Sequence, residues 1–252
     1  MTAPSRALIR AARAHAEGLR LLGVTEVPGV MPRKRGDAVI PEVAAESEDS
    51  KDAQLASLAR DVAACRRCPL HETRTHPVVS DGTPQARLVF VGEAPGRDED
   101  LQGKPFVGAA GQLLTKMIHA MGLRREDVYI CNVLKDRPPG NRTPLPEEVE
   151  ACFPFLERQL AILRPAIICT LGAVATKAFL GPHVSIMKIR GQIRAYQGIP
   201  LVPTFHPAYL LRNPPAKKFA WEDLKTVKKL LAAADSQSPA HDIPRDISAS
   251  DS

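Results

Sequence analysis

No stretch of the sequence approaches the run of about 18 apolar residues that spans a bilayer, so a membrane-embedded chain is not expected. Residues 1–10 lack an apolar run followed by a small-residue cleavage site, and no secretory signal is read there. A cytoplasmic, reducing setting is the expectation. Cysteine is sparse. Its five copies, an odd count, suit free thiols or metal ligands better than a disulfide framework. What is present is apolar bulk: at 44% hydrophobic, 252 residues can bury one substantial core.

The net charge of +6 is unevenly distributed. Residues 51–234 carry 26 Lys/Arg against 17 Asp/Glu, while residues 1–50 are balanced and residues 235–252 are acidic. A basic body between neutral and acidic extensions suits a polyanionic partner, because neutralising phosphates releases counterions. An ordinary basic soluble protein fits the same charge.

Residues 1–23 read as a short basic helix. Pro28, Pro32 and Pro41, with the acidic cluster at Glu46–Asp49, mark a linker. These divide the chain into an N-terminal helix and flexible linker (1–50), a folded domain (51–234) and a disordered tail (235–252). Within the domain, the pattern predicts helices to about Ala64, over 113–121, after Pro144 to about Leu163, over 173–180 and over 221–234. Strands are predicted at 87–91, 128–132 and 166–171, with a hairpin-like pair, 192–197 and 199–205, around Gly198. Strands alternating with helices imply an α/β fold, a three-layer α/β/α sandwich around a central, mainly parallel, four-stranded sheet. Ligands of such sheets bind in the loops after the strands' carboxyl ends.

Three of those loops carry candidate chemistry. Gly92-Glu93-Ala94-Pro95-Gly96, then Glu99, Asp100 and Gly103-Lys104-Pro105-Phe106-Val107-Gly108, place glycines and an aromatic where a ligand can approach backbone amides. Asn132 ends the next strand. Its amide can face a base edge offering a donor beside an acceptor, as uracil does and cytosine does not. Phe205-His206-Pro207-Ala208-Tyr209-Leu210-Leu211-Arg212 supplies a histidine able to donate to a departing anion, and apolar bulk with a cation suited to wedging a base stack. Read singly, each loop is better explained as an ordinary Gly/Pro turn, a capping Asn or a packed His. Cys65-Arg66-Arg67-Cys68 is a chelating spacing in search of partners, with Cys152 one candidate; a redox pair or zinc knuckle is the alternative, although no second close pair exists. Cys169 reads as a core thiol, and Cys131 should face away from Asn132 on their shared strand.

Together these segments, from about Cys65 to Lys229, resemble family 4 uracil-DNA glycosylases, the iron-sulfur branch of that superfamily. The resemblance rests on the loop at 92–108, on Asn132-Val133-Leu134-Lys135-Asp136-Arg137-Pro138-Pro139-Gly140-Asn141-Arg142, and on His206 to Arg212. It implies excision of a flipped uracil from double- or single-stranded DNA by a monomer, leaving an abasic site. Glu93, Asn132 and His206 would be catalytic. Gly92, Ala94, Glu99 and Phe106, with Asn132 and His206, would bind the base: Phe106 stacking, Asn132 reading its edge, His206 facing O2, Glu93 positioning water or base, and Glu99 crowding C5 against thymine. Arg137, Asn141, Arg142, Tyr209, Leu211 and Arg212 would meet DNA.

The resemblance also implies a [4Fe-4S] cluster on four cysteines. Cys65, Cys68 and Cys152 match three of them, and Asp136 stands at the other position. Expectations are therefore an Asp136-ligated or labile cluster, its loss, or substitution by Cys131. A related branch that is trapped covalently on DNA has a basic insertion ending in histidine near the second motif. Here Lys135 runs directly into Asp136, so turnover is expected. A non-catalytic DNA-binding module is the remaining alternative.

Overall fold

The computed structural model describes residues 48–237. The expected N-terminal helix, the linker up to residue 47 and the tail beyond 237 lie outside the described residues. The chain opens with α1 (Glu48–Ala64) and a short turn at Pro69–Glu72. Next come β1 (Asp81–Gly82), β2 (Leu88–Gly92), α2 (Arg97–Gln102), α3 (Ala109–Ala120) and β3 (Tyr129–Asn132). The second half contains α4 (Pro146–Leu163), β4 (Ile167–Leu171), α5 (Ala173–Leu180), α6 (Ile186–Ile189), β5 (Arg194–Tyr196), β6 (Ile199–Thr204), α7 (Pro207–Arg212) and α8 (Lys217–Gln237).

The strands form one sheet in the order β1-β3-β2-β4-β6-β5. Its inner four are parallel, and β1 and β5 are antiparallel edges. The sheet thus has six strands rather than the expected four. The added β1 has two residues, too few to show a period of two, and β5 is a mostly exposed three-residue arm of the expected hairpin. Gln197 and Gly198 at its tip both take positive φ, as a tight two-residue hairpin turn requires.

The inner strands β2, β3 and β4 are buried throughout, which is why they read as continuous apolar runs. Alternation sends Val89, Val91, Tyr129, Cys131 and Ile168 into one apolar layer, under α1, α4 and α5. Leu88, Phe90, Ile130, Ile167 and Cys169 enter the other, under α3, α7 and α8. The three-layer α/β/α expectation therefore holds. Pro146 opens α4, where its missing N–H costs nothing. α8 continues through Gln237, beyond the 221–234 helix read from the pattern and into the expected tail. Among the described residues no helix is long and apolar enough to cross a membrane.

Candidate active site

In-register pairing of β2 with β3 sets Gly92 beside Asn132 at the carboxyl edge of the sheet. Gly92 does not line the adjoining cavity but supports it. A Cβ there would lie 2.4 Å from Asn132 Oδ1 and 2.5 Å from Phe106 Cζ. The bare glycine is what lets the amide and the ring close over the strand end. Phe106 sits at φ 54°, a left-handed conformation uncommon for an aromatic residue. Two clamps hold it there. Gly111 on α3 leaves room for the Phe106 carbonyl, and the Glu99 carboxylate accepts from Val107 N–H (2.9 Å), Gly108 N–H (3.0 Å) and Gly96 N–H (3.1 Å). Glu99 thereby ties together the starts of α2 and α3, where a carboxylate also suits the helix dipoles.

From the far side of the sheet β6 delivers His206, the residue preceding α7. Gly172, at φ 90° after β4, leaves space for its Cβ. The His206 ring lies 5.6 Å from that of Phe106, tilted by 32°. Its Nδ1 accepts from Ala208 N–H (3.1 Å), so the neutral ring carries its proton on Nε2. Burial, and then the nearby Arg212 charge, push the imidazole down to about 4. It is a neutral donor at physiological pH.

Glu93, Glu99, Phe106, Asn132 and His206 all line one cavity of about 490 Å³, with Ala94 in its wall. Burial raises the Glu93 carboxyl above the ordinary range. Asn132 is 1% exposed, and its Oδ1 is a buried polar atom with no hydrogen-bond partner among the described residues. An unpaired buried carbonyl is costly, of order 1–3 kcal/mol, and here it belongs to a cavity that a ligand donor can enter.

Of the expected DNA contacts, Asn141, Arg142, Tyr209 and Arg212 line this cavity, whereas Arg137 and Leu211 do not. Arg137 donates to Asn141 Oδ1 (2.6 Å), and Leu211 is 42% exposed on α7. Arg142 is held by two bonds to Glu148 (2.9 and 2.5 Å), whose carboxylate also accepts from Leu145 N–H at the start of α4. The sequence reading missed Pro138 and Thr143 in the wall, and the supporting Gly111 and Gly172. A lone glycine within a helix or after a strand carries no signal of what it must accommodate.

On the opposite face, Cys65, Cys68, Asp136 and Cys152 surround one small cavity of about 10 Å³, together with Arg67 and Lys135. Among the described residues no group of three or more His, Cys, Asp or Glu side chains is gathered tightly enough for a single metal ion. Lys135 is fully buried, and its Nζ donates to neutral acceptors, Asn132 O (2.7 Å) and Gln159 Oε1 (2.6 Å), while its N–H meets Cys152 Sγ at 3.3 Å. Burial pushes the Lys135 amine down, and anionic sulfur at Cys152, as in a metal-bound thiolate, would favour its charged form. Cys131 and Cys169 are core thiols outside this cavity, Cys131 in the layer away from Asn132.

The family model of the Uracil DNA glycosylase superfamily matches residues 79–225. A "Type-4 uracil-DNA glycosylase" of Thermotoga maritima is 51% identical over 171 residues, covering 66% of this chain and 89% of that protein. One of Archaeoglobus fulgidus is 45% identical over 184 residues, covering 70% and 92% respectively. A "Type-5 uracil-DNA glycosylase" of Thermus thermophilus is 33% identical over 127 residues, 44% of this chain and 57% of that protein. Matches of this identity over most of each type-4 relative's length, with the family model spanning more than half of the chain, make it a member of the uracil DNA glycosylase superfamily, in its type-4 branch.

Proposed function

We propose that this chain is a uracil-DNA glycosylase that hydrolyses the N-glycosidic bond of a uracil flipped out of DNA. The observation that carries the reading is the unpaired Asn132 Oδ1, buried beside Phe106 in a cavity that His206 also lines. Uracil supplies the missing donor at N3–H, and the Asn132 amide then donates to O4. Cytosine offers an acceptor and an amine in the reverse order, which would leave both partners unsatisfied. Phe106 stacks on the ring, and the clamped Glu99 crowds C5 and excludes a methyl group.

As the bond to the sugar lengthens, negative charge gathers on the base at O2. His206 Nε2–H donates to it from a fixed position, with Nδ1 held by Ala208 N–H. Preorganised donors of this kind contribute about 2.7–4 kcal/mol. Glu93 positions water against the oxocarbenium-like sugar, and its half-buried carboxylate favours that developing positive charge. Ala94 completes the wall, and Gly92 supports it from behind. Arg137, Asn141, Arg142, Tyr209 and Arg212 meet the DNA backbone and Leu211 wedges the stack, on double or single strands. All five base-facing groups come from one chain, so a monomer suffices. Residues 51–234 form the catalytic domain.

Three thiols around one cavity support the iron-sulfur cluster of the family as well. Cys65, Cys68 and Cys152 would hold it, with Lys135 and Arg67 offsetting thiolate charge. Its contribution is structural: it would fasten the segment after α1 to α4. A reducing, cytoplasmic setting suits these free thiols.

Incubating the protein with a labelled uracil oligonucleotide, then alkali, tests the activity. Strand scission is expected. An SDS-resistant adduct would instead mean covalent trapping, and a mobility shift without scission would mean binding alone.

A further inference from the structure

Asp136 stands where a fourth thiolate would complete the cluster, and the structure gives its carboxylate another partner. Arg74 Nη1 lies 3.0 Å from both carboxylate oxygens, on the face with which a carboxylate chelates. The pair is largely enclosed, with side-chain exposures of 12% for Arg74 and 9% for Asp136. The same guanidinium donates to Val62 O (3.3 Å) and to Ala63 O, at the end of α1 just before Cys65. Arg74 therefore already fastens the loop after β3 to the Cys65 segment, which is the cross-link a fourth metal ligand would make.

Three considerations favour the guanidinium over iron at this carboxylate. Arg74 Nη1 already faces both carboxylate oxygens, its Nη2 is held by Ala63 O, and Arg keeps its charge at any physiological pH. Iron in sulfide clusters prefers thiolate to the harder carboxylate. Moving Asp136 to a metal would leave the enclosed Arg74 without its charge partner, a costly state. Cys131 does not line the cavity and supplies no substitute.

We propose that Cys65, Cys68 and Cys152 alone anchor the cluster, that Arg74 keeps Asp136 off the fourth iron, and that this iron takes a solvent ligand. The proposal rests on the cluster reading given above. It makes one iron selectively labile. One-electron oxidation by ferricyanide releases that iron as a ferrous ion to a chelator and leaves a paramagnetic three-iron cluster.

The test uses the full chain, purified anaerobically, with iron and sulfide assays, electron paramagnetic resonance after ferricyanide, and a thermal melt for each variant. Wild type should hold about four irons and release about one. Asp136→Asn should release it within about twofold of the wild-type rate, and Arg74→Gln, which frees the carboxylate, should slow release by about tenfold or more. Asp136→Cys should abolish the signal, and Cys152→Ser should lose the cluster. The double variant R74M/D136L removes the pair without stranding a charge, and it too should match wild type. Release accelerated about tenfold in Asp136→Asn or in the double variant would make Asp136 a ligand and overturn the proposal. So would a reconstituted wild-type chain without iron and sulfide, or a Cys152→Ser chain with full iron. Uracil excision measured on the same preparations reports separately on the proposed function.

Discussion

Substituting Gly92 with alanine adds one methyl group at the point where the Phe106 ring and the Asn132 amide meet. The new Cβ would stand 2.4 Å from Asn132 Oδ1, 2.5 Å from Phe106 Cζ and 2.7 Å from Phe106 Cε2, where ordinary contact begins near 3.4 Å. Both side chains must retreat by about 1 Å. The φ of Gly92 is not in the left-handed region, so alanine is tolerated by the backbone and the whole effect is steric. Neither neighbour moves freely, because Phe106 is clamped through the Glu99 bonds and Asn132 ends a buried strand. A displacement of about 1 Å in a positioned group costs about a hundredfold in rate, or about 2.7 kcal/mol of transition-state stabilisation. Overpacking of this kind costs about 1–3 kcal/mol of stability. For a domain of this size that lowers Tm by about 2–12 °C, leaving the protein folded at 25 °C. Single-turnover excision of uracil from a labelled oligonucleotide, with a circular-dichroism melt of the same sample, reads both quantities. Excision within about threefold of wild type would refute the claim that this contact aligns ring and amide for catalysis.

His206→Ala should lower single-turnover excision by about two to three decades. A loss under threefold would remove His206 from the chemistry. Because its imidazole is pushed down to about 4, the kcat profile should run flat through the pH where an ordinary histidine titrates, and an inflection near 6.5 would contradict a neutral donor. The same shift affects stability. At high pH both folded and unfolded states leave this ring neutral. As pH falls below 6.5 the unfolded chain takes up the proton first, so native stability declines by up to about 3 kcal/mol as pH approaches 4. Urea titrations of wild type and His206→Asn should differ in that slope, and equal slopes would sink the assignment. Glu148→Ala removes the Arg142 pair and the bond to Leu145 N–H, and should destabilise by about 1–3 kcal/mol; an unchanged denaturation midpoint would show that the pair contributes nothing.

The parallel sheet was legible in the sequence because β2, β3 and β4 are buried on both faces and therefore read as unbroken apolar runs ending at Gly92, Asn132 and Leu171. The edges were not. β1 is two residues long and exists through its pairing with β3, a contact that hydropathy does not encode. Short helices α2, α6 and α7 went unread for a similar reason, since four to six residues give too few turns for a helical period.

The candidate site divides along the same line. Phe106, Asn132 and His206 could be named from their places after strand ends, and Cys65 and Cys68 from their spacing. Their convergence could not, because it depends on β6 lying across β4 from β2 and on three glycines whose missing side chains make room. Nor could Glu99 be seen as a clamp on backbone amides, or Arg74 as the partner of Asp136 across 62 residues. Residue type and local spacing determined which chemistry this chain can perform and on which loops. Only the packed structure decided which groups meet, which charges are already paired and which buried carbonyl still lacks a donor, since those depend on contacts between segments that the linear order keeps apart.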